Sequence, residues 1–172
     1  MEELSKQELL EKIEKAAYQS EMELHGCGRC ALSTLVKYLE LGDEVLLSKA
    51  ILPLSGGIAG TRNTCGALIG GLMAIGIASF PGQVDSGGIE QVHEAMALGN
   101  AYYRRFEKEI GNSRCFDIRQ TGLGRLFDNV DSEEYEKFIK AGGYELCSGV
   151  VGKAARLAAE FILDLREQRG EK

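Results

Sequence analysis

With 172 residues, the chain is long enough for one domain that buries roughly two-thirds of its unfolded surface without staples. A formal charge of −6 excludes the basic-patch mode of nucleic-acid binding, because no Lys/Arg cluster is available to neutralise phosphates. Twenty-two glycines against two prolines, with no tryptophan, describe a globular chain and not a low-complexity one.

The start Met1-Glu2-Glu3-Leu4 lacks the basic-then-apolar layout of a signal peptide, and the central apolar run is too short and glycine-rich to span a bilayer. The reading therefore places the protein in the cytoplasm. In that reducing compartment structural disulfides are rare, and clustered cysteines more often bind metal or do redox chemistry. Five cysteines, an odd number, also fit poorly with a closed set of bridges.

Ser5-Lys6-Gln7-Glu8 is a capping box, and Leu9, Leu10, Ile13, Ala16 and Ala17 follow at helical spacing, which predicts a first helix ending near Ser20. His25-Gly26-Cys27-Gly28-Arg29-Cys30 links it to a second helix from about Arg29 to Leu41. Gly42 reads as that helix's C-terminal glycine and Asp43 as the next N-cap; a short third helix from Glu44 to about Leu52 is stopped by Pro53.

After the Gly-rich run Ser55-Gly56-Gly57-Ile58-Ala59-Gly60, a helix is predicted to begin near Cys65. Residues 67–78 carry no charge, and a helix without a polar face must be enclosed by others. Gly66, Gly70, Ala74 and Ala78 give it a stripe of small residues. Asp85-Ser86-Gly87-Gly88 then leads into a long amphipathic helix with Ile89, Val92, Met96, Tyr103, Phe106 and Ile110 inward, ending at Gly111. Cys115 opens a short helix limited by Gly122 and Gly124, and Asp131-Ser132-Glu133-Glu134 opens another that ends at Gly142-Gly143. Tyr144 to Ser148 lead into the last helix, with Val150, Ala154, Leu157, Phe161 and Ile162 among its inward residues.

No segment shows period-two alternation. The expected fold is all-α: a compact bundle of seven to eight helices around a central apolar Gly/Ala-rich helix, forming one domain over 1–172 with 1–25 as N-terminal helix and link. Small-residue faces and the largely apolar last helix point to a homodimer.

On this reading Cys30, Cys65, Cys115 and Cys147 lie at or near helix N-termini, where unpaired N–H groups and the helix dipole favour thiolate over thiol. Lowered thiol pKa values and convergence of the four sulfurs are therefore expected, since nucleophilic chemistry and metal ligation both use thiolate. Cys27-x-x-Cys30 reads either as a redox dithiol, without the βαβ context of a thioredoxin, or as a ligand pair. No histidine follows Cys30, which excludes covalent c-type haem attachment. Zinc-ribbon spacing is absent, because only Cys27 and Cys30 are close. His25 reads as a ligand, a base or an exposed loop residue, and His93 as surface or half-buried. Gly56, Gly57 and Gly66 are candidates for close backbone approach to a bound group. Arg62 is a candidate anion contact, although no Lys-Ser or Lys-Thr follows the loop as a phosphate-binding loop would have.

Cys65-Gly66-Ala67-Leu68-Ile69-Gly70, Cys30 before Ala31, Cys115 after a long helix and Cys147 before the last helix together resemble a redox-active family named C-GCAxxG-C-C. The likeness runs from about Gly28 to Leu165 (28–165 as family-like core) and leaves Cys27 as an extra cysteine. It implies redox chemistry through the cysteines. A related domain occurs in split-Soret cytochromes, for which an iron–sulfur centre is proposed.

The resulting expectation is a cytoplasmic protein in which Cys30, Cys65, Cys115 and Cys147, with Cys27 as a further candidate, hold an iron–sulfur cluster. It would move electrons for a larger reductase or dehydrogenase, its acidic surface choosing a basic redox partner. The alternatives are a metal-free thiol–disulfide enzyme or sensor, with Cys65 or Cys30 attacking and Cys27 resolving, and an interaction module whose cysteines pack or hold zinc. A flavin or other small molecule beside the Gly-rich loop stays open.

Overall fold

The computed structural model describes residues 4–82 and 88–170. Within them the chain is all-α: α1 (Lys6–Leu24), α2 (Cys27–Leu39), α3 (Glu44–Ile51), a 3-10 turn (Leu52–Leu54), α4 (Gly66–Ser79), α5 (Gly88–Ile110), α6 (Cys115–Leu123), α7 (Ser132–Lys140) and α8 (Gly143–Arg169). One isolated antiparallel bridge joins Thr64 to Arg114. No described helix is long and apolar enough to cross a membrane.

Local chemistry sets the boundaries. The Ser5–Glu8 capping box forms as expected, but α1 runs past Ser20 to Leu24, because Glu21 continues the buried row of Ile13 and Ala17. Gly26, left-handed at φ 98°, turns the chain so that α2 starts at Cys27 instead of Arg29. α2 stops at Leu39, where Glu40 adopts the left-handed cap conformation expected of Gly42. The Asp43 carboxylate caps α3 by accepting from the Leu46 N–H, and Pro53 sits in the 3-10 turn. α8 begins at Gly143, which places Tyr144 and Cys147 inside the last helix and not ahead of it.

The apolar α4 packs against α2, α5 and α8, and α8 in turn touches α1, α2, α4, α5, α6 and α7, so the two helices share the centre. Small residues make this possible. A Cβ on Gly70 would lie 2.7 Å from the Gly28 carbonyl oxygen, and one on Gly152 would lie 2.9 Å from that of Glu14. Ala154, Ala155, Ala158 and Ala159 of α8 are fully buried. Tyr102 fits over the bare Cα of Gly71 and donates its hydroxyl to the Ala154 carbonyl at 3.1 Å. Burial of Phe106 beside it contributes about 1.5–3 kcal/mol.

The inward row predicted for α5 holds only in its second half. Ile89, Val92 and Met96 are 63%, 50% and 60% exposed, since no described element covers the first turns, whereas Tyr103, Phe106 and Ile110 pack on the core. The lead-in Asp85-Ser86-Gly87 lies outside the described residues.

Candidate functional site

The start of α4 and the start of α6 are held side by side by backbone pairing. Around the Thr64–Arg114 bridge, the Cys65 N–H donates to the Ser113 carbonyl at 2.8 Å and the Cys115 N–H to that of Asn63 at 2.7 Å. Cys65 is the N-cap of α4 and Cys115 the first residue of α6.

The Gly-rich run shapes the floor. Gly56, Gly57, Ile58, Ala59 and Gly60 all have φ between 50° and 75°, a left-handed turn closed by the Arg62 and Asn63 N–H groups donating to the carbonyls of Gly56 and Gly57. For Ile58 and Ala59 that conformation costs about 1–2 kcal/mol each. Gly57 has no alternative: a Cβ there would lie 2.7 Å from the Cys115 Cβ and 2.8 Å from the Asn63 nitrogen. A Cβ on Gly66 would lie 2.5 Å from the Cys27 sulfur. The glycines of the sequence pattern therefore give room to Cys115 and Cys27.

Four thiols meet there. Cys27, Cys65, Cys115 and Cys147 line one cavity of about 20 Å³, together with Ile118, Arg119 and Val150. The set differs from the expected one, because Cys27 takes the place anticipated for Cys30. Cys30 is fully buried in the seam between α1 and α2, with its thiol 3.5 Å from the His25 carbonyl that accepts from it. Three residues of helix turn the chain through about 300°. With α2 beginning at Cys27, that rotation aims the two sulfurs at different neighbours.

The expected lowering of thiol pKa is overturned. Burial pushes every one of the five thiols up, Cys30 and Cys147 to about 12. The opposing influences are smaller: the Gly56 N–H at Cys27, the Ala67 and Leu68 N–H groups at Cys65, and the Arg119 charge at Cys147 and Cys115. Cys65 makes no side-chain capping hydrogen bond. Desolvation in this apolar end outweighs the helix dipole.

Arg119 is the charged member of the site. It lies one helical turn after Cys115, donates through Nη1 to Asn129 Oδ1 at 2.8 Å and through Nη2 to the Cys147 sulfur at 3.8 Å, and stacks 4.3 Å over the Phe138 ring. Burial works against its charge, and the neighbouring Cys147, Cys115 and Cys27 sulfurs outweigh that, so its pKa is raised.

A second cavity, of about 150 Å³, shares Cys27, Arg119 and Cys147 with the first. Its other walls include Glu21, His25, Ser55 and Asn129. Burial raises the Glu21 carboxyl to about 7, against the pull of Cys30, Arg119 and Arg29. His25 is half-buried and stacked on Tyr144 at 3.8 Å, with Nδ1 2.8 Å from the Glu21 carbonyl, so it is not an exposed loop residue. His93 is exposed, and the Arg62 guanidinium donates to the Phe127 carbonyl. Among the described residues, no group of three or more His, Cys, Asp or Glu side chains is arranged so as to hold a metal ion.

Sequence reasoning missed Arg119 and Glu21. Both had a readable signal: Arg119 follows Cys115 at i+4 on one helix, and Glu21 follows Ile13 and Ala17 at i+4 on another. Asn129 lies outside the helices and offered none, and Ser55 was read only as the start of the Gly-rich run.

The chain matches a protein-family model over residues 25–161, well over half of its length; the family is described as "Putative redox-active protein (C_GCAxxG_C_C)". Neither a curated protein nor a solved structure matches it significantly.

Proposed function

The chain belongs to the C_GCAxxG_C_C family, and from that premise we propose that Cys27, Cys65, Cys115 and Cys147 hold an iron–sulfur cluster for electron transfer. The observation that carries this reading is the meeting of four thiols, from four separate segments, around one pocket.

The chemistry of the donor set fits such a group, since four cysteine thiolates are the usual ligands of iron–sulfur clusters. When bound, a cluster supplies one-electron chemistry at a potential set by charge, burial and hydrogen bonds to sulfur. Raised thiol pKa values disfavour the metal-free alternative, because a protonated thiol is a poor nucleophile near neutral pH. A metal, by contrast, displaces the thiol proton on ligation. Zinc would draw its four sulfurs to within about 3.8 Å of one another at Zn–S near 2.3 Å. A cluster would spread them around an iron–sulfide core.

In this reading the chain's own residues do three things. Arg119 offsets the negative charge of the thiolates and donates toward Cys147. Ile118 and Val150 keep water away from the sulfurs. Gly57 and Gly66 leave space for Cys115 and Cys27. A cavity of about 20 Å³ is smaller than a cluster core, so loading requires the sulfurs to change rotamer and widen it. The −6 surface suits a basic redox partner, and the exposed row Ile89, Val92 and Met96 is where a second copy would bury area.

Anaerobic reconstitution with iron and sulfide tests this. Bound iron and labile sulfide, with visible charge-transfer absorption, are expected. Protein that takes up neither, yet loses two thiols reversibly on mild oxidation, would replace the cluster with a dithiol.

A further inference from the structure

Residues 125–141, which carry α7, are held to the rest of the molecule by little. α7 packs on α8 and meets no other helix beyond a marginal touch. Within the stretch only Phe127 and Phe138 are buried. Gly124 and Gly142 stand at its two ends, left-handed at φ 73° and 80°. Glycine adopts and leaves such angles without the strain other residues meet. A Cβ on Gly124 would touch nothing, so packing does not fix that end.

This same stretch covers the thiols. Asn129, Tyr135 and Phe138 form one side of the 150 Å³ cavity, and Cys27 and Cys147 are among its other walls. The ties that hold it down converge on Arg119, which donates to Asn129 Oδ1 at 2.8 Å and lies 4.3 Å over the Phe138 ring. The other ties are polar ones that water replaces at small net cost: Arg62 donates to the Phe127 carbonyl, and the Tyr135 and Tyr144 hydroxyls are hydrogen-bonded. Arg119 also donates toward the Cys147 sulfur at 3.8 Å. One side chain thus touches both the cover and a thiol beneath it.

We propose that residues 125–141 are a lid over the thiol pocket, hinged at Gly124 and Gly142 and latched by Arg119. A thiol pocket of about 20 Å³ has to widen before anything loads it. Lifting this stretch takes away one wall beside Cys27 and Cys147 while α1, α2, α4 and α8 stay packed. Thiolates bound to metal carry negative charge, which draws the Arg119 guanidinium toward Cys147 and favours the closed lid. Such a difference in interaction between two forms is what lets a ligand shift their balance. The opening is a property of the metal-free chain, and only what it admits rests on the cluster proposed above.

Hydrogen exchange and thiol alkylation on the metal-free, full-length protein test the lid separately from the cluster. Amides of α7 should exchange about 100-fold faster than those of α4, because segments with few buried apolar contacts open locally. Asn129→Ala, at a half-buried position outside the helices, removes one latch contact. It should speed alkylation of Cys27 and Cys147 by iodoacetamide about tenfold, and Phe138→Ala should do at least as much. Cys30, in the α1–α2 seam outside the lid, should react no faster in either variant. Exchange in α7 as slow as in α4 overturns the proposal. So do unchanged rates at Cys27 and Cys147 in both variants, or Cys30 accelerating in step with them as in global unfolding. Iron uptake by a protein whose α7 exchanges as slowly as α4 would keep the cluster and remove the lid. A lid that opens over thiols that never take up iron would do the reverse.

Discussion

Two cysteines three residues apart have been given different surroundings. Cys27 opens α2 and shares a small cavity with three other thiols, under a guanidinium and against bare glycine backbone. Cys30 sits in the α1–α2 seam, beside the Glu21 carboxyl and the His25 carbonyl. Cys27 is half-buried and Cys30 fully buried, yet burial pushes both thiols up, so acidity does not separate them. What separates them is company: three more thiols and Arg119 line the small cavity at Cys27, whereas Cys30 lies outside it, and the Glu21 carboxyl bears on both. A thiol becomes a candidate ligand through its neighbours more than through its acidity.

The thiol pocket should be more fragile than a helical position with open space around it. Gly57→Ala adds a Cβ that collides with Cys115 and with backbone, at a φ of 72° that side chains rarely adopt. It should lower unfolding free energy by roughly 3–5 kcal/mol in denaturant titrations. Gly149→Ala, a helical position with open space around it, should be neutral or raise stability by up to about 1 kcal/mol. Equal losses at both glycines would break the contrast.

The seam should announce itself through pH. Glu21 is raised in the fold from an ordinary 4.5 to about 7, so its contribution is fully present below pH 4.5 and is lost as pH rises through 7. The shift corresponds to roughly 3 kcal/mol over that window, and Glu21→Gln should flatten that part of the stability profile. An unchanged profile would mean that Glu21 ionises as an exposed carboxylate does.

Much of this arrangement could be read from the chain. Charge-free residues 67–78 gave an enclosed helix, and Ser5, Asp43 and Asp131 marked caps that form. The gathering of Cys65 and Cys115 was anticipated from their helix starts, though not the Thr64–Arg114 bridge that secures it. The choice of Cys27 over Cys30 was hidden, because it depends on where α2 begins. A left-handed Gly26 decided that, and sequence boundaries are uncertain by about that many residues. The thiol pKa values were misjudged because helix dipoles are local and readable, whereas desolvation depends on the whole packed surround.

The account rests on which sulfur joins the other three, and iron content after anaerobic reconstitution of Cys27→Ala and Cys30→Ala tests it directly. Cys27→Ala should lose the bound iron and the visible absorption of the parent protein, while Cys30→Ala keeps both. Iron retained without Cys27 and lost without Cys30 would contradict the assignment.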